Sequence, residues 1–121
     1  MKADVENALS ALTLTPDGAS ARLSFPRELP IFQGHFPGFP IVPGVYLVEA
    51  ARLLAERVLA RSLIIAALDM AKFSRAVGPE DVVEFTITLS ERVDGFGCEA
   101  RFRAGGEDAA RIRLRLRPAG N

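Results

Sequence analysis

One segment of this chain repeats with a helical period, and segments of strict alternation lie on both sides of it. From about Gly44 to Ser62, Leu47, Val48, Ala51, Leu54, Ala55, Val58 and Leu59 recur at i, i+3, i+4 spacing. Arg52, Glu56, Arg57 and Arg61 flank that stripe or lie opposite it. Pro43 suits the first turn, because it lacks the N–H that a helix start leaves unpaired. An amphipathic helix of this kind is stable only when its stripe is buried against an apolar surface. The alternating segments supply that surface. Apolar and polar residues alternate on either side of Pro16-Asp17-Gly18, which predicts two strands and a tight turn. After the helix, "LIIAALDMAKFSRAV" predicts one long or two short strands. "VVEFTITLSE" points Val83, Phe85, Ile87 and Leu89 to one face. "FGCEARFRA" and "RIRLRLRP" follow, separated by turns at Asp94-Gly95 and Gly105-Gly106. In the last strand Ile112, Leu114 and Leu116 oppose Arg111, Arg113, Arg115 and Arg117. The expected architecture is α+β: an antiparallel sheet of about six strands packed on one long helix.

Composition narrows the function. Fifteen basic and fifteen acidic residues give a net charge of zero in 121 residues, which argues against nucleic acid as a partner. The length predicts a single domain over residues 1–121. "MKADVENALS" carries acids where a secretory signal has its apolar core, and no apolar run approaches a membrane span, so a cytoplasmic location is expected. The lone Cys98 excludes an internal disulfide and sits in an alternating strand as a small core residue. With one histidine and one cysteine no dedicated metal site is expected, and no phosphate loop or dinucleotide fingerprint is present.

The chemistry concentrates in residues 32–49, "FQGHFPGFPIVPGVYLVE". The segment holds the sole histidine, His35, on a stretch stiffened by Pro37, Pro40 and Pro43. Residues 26–43 carry too many prolines for helix or strand and are expected to form a structured loop. Imidazole is the usual general base near neutral pH. The loop feeds a helix N-terminus at Gly44, where free N–H groups and the helix dipole favour developing negative charge. A base, an oxyanion donor and a nearby carboxylate resemble a site for proton abstraction next to a carbonyl. A structural histidine remains the alternative. Glu49 points away from the apolar stripe, toward the side of Arg52 and Glu56, so it reads as a solvated glutamate unless a second subunit covers that face. The arginines of the last strands read either as a solvated face or as a contact for an acidic carrier or its phosphate.

"GHFPGFPIVPGVYLVEA" resembles the active-site segment of FabZ-type 3-hydroxyacyl-acyl-carrier-protein dehydratases, and "LDMAKFSRAVGPEDVVEF" is similar to that family's second block through Lys72, Phe73, Arg75, Val77, Pro79 and Asp81. The resemblance covers roughly residues 20–90 and implies the hot-dog fold, a curved antiparallel sheet wrapped around one long central helix. It places the catalytic pair on His35 and Glu49 and the oxyanion glycine on Gly44. Val45, Pro43 and Phe36 would complete the substrate-binding segment. Phe39, Tyr46 and Phe73 would line an acyl tunnel or belong to the core. It also implies a homodimer whose sites take the histidine from one subunit and the acid from the other, an acyl carrier protein as partner, and no cofactor. Two departures stand out. Leu53 occupies the place of the family's glutamine four residues beyond the glutamate, and "LSFPRELPIFQGHFPG" looks like the shorter ApeI-like branch tied to aryl-polyene and related pathways. A hot-dog acyl thioesterase and a non-catalytic acyl-carrier-binding partner of an active paralogue are the rival functions.

Overall fold

The computed structural model describes residues 1–33, 38 and 40–120. In chain order these give α1 (Lys2–Ala8), β1 (Leu9–Thr15), β2 (Gly18–Leu23), a single 3₁₀ turn (Pro30–Phe32), α2 (Gly44–Leu59), β3 (Leu63–Phe73), β4 (Val83–Arg92), β5 (Gly95–Ala104) and β6 (Glu107–Pro118). The strands form one antiparallel sheet in the order β1-β2-β4-β5-β6-β3. The sheet does not close, so β1 and β3 are its edges. It wraps α2, which touches β2, β3, β4 and β5. This is the antiparallel sheet on one long helix that the helical stripe and the alternating strands predict, in the hot-dog arrangement that the resemblance implies.

The core follows the alternation. Val83, Phe85 and Ile87 of β4 are buried, as are Ile112, Leu114 and Leu116 of β6. In the sheet Phe85 faces Phe102, and the rings stack with centroids 4.8 Å apart and planes 6° apart. Such a pair contributes about 0.5–1.5 kcal/mol beyond its area. The arginines of β6 are exposed on the outer face; among them Arg115 donates to both oxygens of Asp69, and Arg111 donates to Glu99 at 3.3 Å.

Two local readings change, and one that was open is decided. The first residues form a helix, α1, which no sequence signal had suggested. Val5 and Ala8, three apart, turn inward, and α1 packs on α2. The segment after α2 is one long strand, β3, interrupted by two irregularities in its pairing with β6. The turn between β4 and β5 falls at Val93-Asp94, so Gly95 becomes the first residue of β5.

β3 also breaks the pattern expected of a buried strand. Of its eleven residues only Leu63 is buried. Ile64, Ile65, Leu68 and Phe73 are all exposed. Helix α2 ends at Ala60 in the left-handed conformation (φ 53°, ψ 43°), a position where glycine is the usual choice. Among the described residues, no helix is long and apolar enough to cross a membrane.

Candidate active site

The start of α2 is built by two stretches some thirty residues apart. Pro43 takes the N-cap with φ −60° and ψ 140°, and its carbonyl accepts the Tyr46 N–H at 2.9 Å. Among the described residues no side chain caps this end, and no acid lies in its first turn. The positive end of the helix dipole therefore has no counter-charge in α2 itself. The Val42 N–H donates to the Val77 carbonyl at 2.7 Å, which pins the approach to α2 against the stretch after β3. Asp81 accepts the Gly78 N–H at 2.8 Å and holds the turn that follows. Between the two stretches lies a mainly apolar cavity of about 450 Å³. Ile41, Val42, Leu47, Phe73 and Val77 line it together with Gly44, and Ser74 and Arg75 add its polar side. The Phe73 ring lies against Gly44 so closely that a β-carbon there would meet it at 2.5 Å. Arg75 is itself held between Asp81 (3.6 Å) and Glu107 (3.4 Å).

Glu49 is elsewhere. The expectation of an open carboxylate on a single subunit is overturned: Glu49 is 9% exposed within one chain. The wrap of the sheet is the reason, because it buries α2 on more than its predicted stripe, with Leu47 to Ala51 and Leu53 to Ala55 all enclosed. Arg52 closes over the carboxylate. Its Nε donates to Glu49 Oε1 at 2.8 Å and its Nη2 to Glu49 Oε2 at 2.7 Å. Its Nη1 donates to Glu56 Oε2 at 2.8 Å and to the Leu63 carbonyl at 3.0 Å. Glu56 in turn accepts the Leu63 N–H at 2.8 Å. The hydrogen bond to Glu49 is the main cause that raises the Arg52 guanidinium above its ordinary value, against the opposing effect of burial. Five residues at ~100° each set Glu49 about 140° around α2 from Gly44. Glu49 does not line the cavity that Gly44 lines.

The remaining candidates divide. His35, Phe36 and Phe39 lie outside the described residues. Val45 is exposed in the first turn of α2, and Pro43 is half-buried at its cap. Phe73 lines the cavity, but Tyr46 turns the other way and meets Phe25 edge-on at 5.9 Å. Burial, then the Asp4 carboxylate, raises the Tyr46 phenol above its ordinary value. Cys98 is buried and free, as its place in an alternating strand predicts, and burial pushes its thiol up to about 12. Among the described residues no group of three or more His, Cys, Asp or Glu side chains is placed to hold a metal ion. The shared side of Glu49, Arg52 and Glu56 was legible from their i, i+3 and i+7 spacing, but their closure into one ion-paired cluster was missed.

Residues 12–111 match the family described as ApeI-like, ApeI dehydratase. A FabZ 3-hydroxyacyl-[acyl-carrier-protein] dehydratase of Latilactobacillus sakei is 35% identical over 104 residues, 79% of this chain and 74% of the relative. The FabZ of Lactobacillus helveticus is 39% identical over 80 residues, 58% of this chain and 54% of the relative. The match to that second relative thus spans about half its length. Among solved structures, the dehydratase heterocomplex ApeI:P from Xenorhabdus doucetiae superposes with a TM-score of 0.77 over 89% of this chain and 95% of that one, at 22% identity. That likeness is one of fold.

Proposed function

Because the chain belongs to the ApeI-like dehydratase family, we propose that it removes water from a 3-hydroxyacyl thioester to leave the trans-2-enoyl thioester. The observation that carries this reading is the joining of the two motif blocks into one apolar cavity at the uncapped start of α2. An acyl thioester enters that cavity with its carbonyl oxygen toward the N–H groups of Gly44 and Val45. Gly44 leaves the Phe73 ring the space that a β-carbon would fill, and the ring packs beside the acyl chain. His35 takes the C2 proton. As the C2–C3 double bond forms, the C3–O bond breaks and Glu49 protonates the departing hydroxyl, which leaves as water. The proton on His35 then returns to Glu49 through solvent. The thioester acidifies C2 by itself, so the step needs no cofactor.

Glu49 and Gly44 face different sides of α2, which favours a site shared between two copies. The acid of one chain then serves the cavity of the other. The unpaired side of β3 offers the contact. It is a long, apolar, exposed edge, and such an edge is an aggregation hazard unless another strand covers it. β3 begins at Leu63, the residue that Arg52 and Glu56 grip beside Glu49. The substrate arrives on the pantetheine arm of an acyl carrier protein, the carrier for which the FabZ relatives are named.

Incubation with a 3-hydroxyacyl carrier protein, followed by mass spectrometry of the product, tests the reading. Loss of water is the expected result. Loss of the whole acyl group would mean a thioesterase, and an unchanged substrate would mean a non-catalytic binding partner.

A further inference from the structure

The cluster around Glu49 is hard to justify as a stabilising device. Three charged side chains, Glu49, Arg52 and Glu56, are largely withdrawn from water, with side-chain exposures of 11%, 14% and 20%. Withdrawing charges is costly, and a buried ion pair generally stabilises no better than apolar residues of the same size. The bonding is also more specific than charge balance needs. The fork of Arg52 takes both oxygens of Glu49, while its remaining nitrogen is anchored twice, on Glu56 and on the Leu63 carbonyl. Glu56 is fixed in turn by the Leu63 N–H. The guanidinium plane therefore cannot turn without breaking bonds to the first residue of β3.

We infer that Arg52 is a positioning residue for the acid: it aims the Glu49 carboxylate and stabilises the negative charge that appears there as the proton passes to the leaving hydroxyl. This rests on the proposed role of Glu49. A carboxylate offers about four lone-pair sites, and a bidentate guanidinium occupies two, so two remain, one of which carries the proton that passes to the substrate hydroxyl. A cation already in place needs no reorganisation at the moment of reaction and favours the transition state over the ground state. A lysine would keep the charge but lose the planar fork.

The test is a double-mutant cycle on steady-state kinetics with 3-hydroxybutyryl-pantetheine, followed by the ultraviolet absorbance of the enoyl thioester. Arg52→Gln lowers kcat by about 10- to 100-fold, a part of the roughly 10²–10⁴-fold that an acid–base group supplies, and leaves KM within about threefold. Arg52→Lys recovers part of the loss. In a Glu49→Gln background, Arg52→Gln costs nothing further, because no carboxylate is left to position. An equal fractional loss in both backgrounds, or a change in KM alone, overturns the inference and makes Arg52 a structural residue. Full activity of Glu49→Gln by itself overturns the role of Glu49 instead. Should Arg52→Gln not fold by circular dichroism, the cycle is read with Arg52→Lys, where the same two outcomes decide.

Discussion

The ring of Phe73, at the end of β3, rests on Gly44, the first residue of α2, with no room for a β-carbon between them. The ring is half exposed and can swing aside, so Gly44→Ala should fold and melt within a few degrees of wild type. Displacing the ring and crowding the helix N-terminus should still lower kcat by about 10²-fold, the lower range for a lost oxyanion donor. Paired with Phe73→Ala, the same change should cost much less, because the clash is gone. Wild-type turnover by Gly44→Ala would show that no substrate carbonyl approaches this backbone.

On the proposed chemistry His35 is the base. His35→Ala should retain the far-ultraviolet spectrum and lose about 10²–10⁴-fold in turnover, the usual contribution of a general base. Activity within a factor of a few would return His35 to a structural role.

Both predictions concern parts of the molecule that the sequence exposes unequally. The strands are legible because period-2 alternation has one cause, a sheet with one buried face, and β4 obeys it from Val83 to Leu89 and β6 from Ala110 to Arg117. The cavity is legible in part. The order of the two blocks suggests that they meet, but the Val42–Val77 bond and the position of Phe73 over Gly44 arise from long-range packing. Glu49 was misjudged because helical periodicity reports one buried stripe, whereas a sheet that wraps a helix buries several faces. Helix α1 escaped notice because seven residues hold too few repeats to show a period. The exposure of β3 is likewise invisible in an apolar run, since edge and centre strands can share a composition.

Cys98 gives a pH signature that belongs to the fold. Burial raises its thiol from an ordinary 9.0 to about 12. The folded state therefore keeps a proton that the unfolded chain loses, and the associated stability is present below about pH 9 and lost as pH rises toward 12. The slope attributable to this group is about −1.4 kcal/mol per pH unit within that window. Urea unfolding of wild type and Cys98→Ala should show a constant stability difference below about pH 9 that shifts in favour of Cys98→Ala above it. A difference that stays constant to about pH 10.5 would mean that the thiol ionises without opening the core.

The shared site makes the strongest prediction, because it concerns two inactive proteins. Glu49 lies on the far side of α2 from its own cavity, and the exposed edge of β3 starts beside it. If the acid serves the neighbouring chain, a dimer of His35→Ala with Glu49→Gln has one centre with both groups intact and one with neither. Equal mixing after reversible dissociation makes roughly half the dimers mixed, and each has one working centre of two. Activity should therefore return to about a quarter of wild type, as two-fold symmetry requires. Native mass spectrometry of the mixture establishes that subunits have exchanged. Exchange without recovery would place both groups in one chain's site, and recovery without any dimer would remove β3 as the contact.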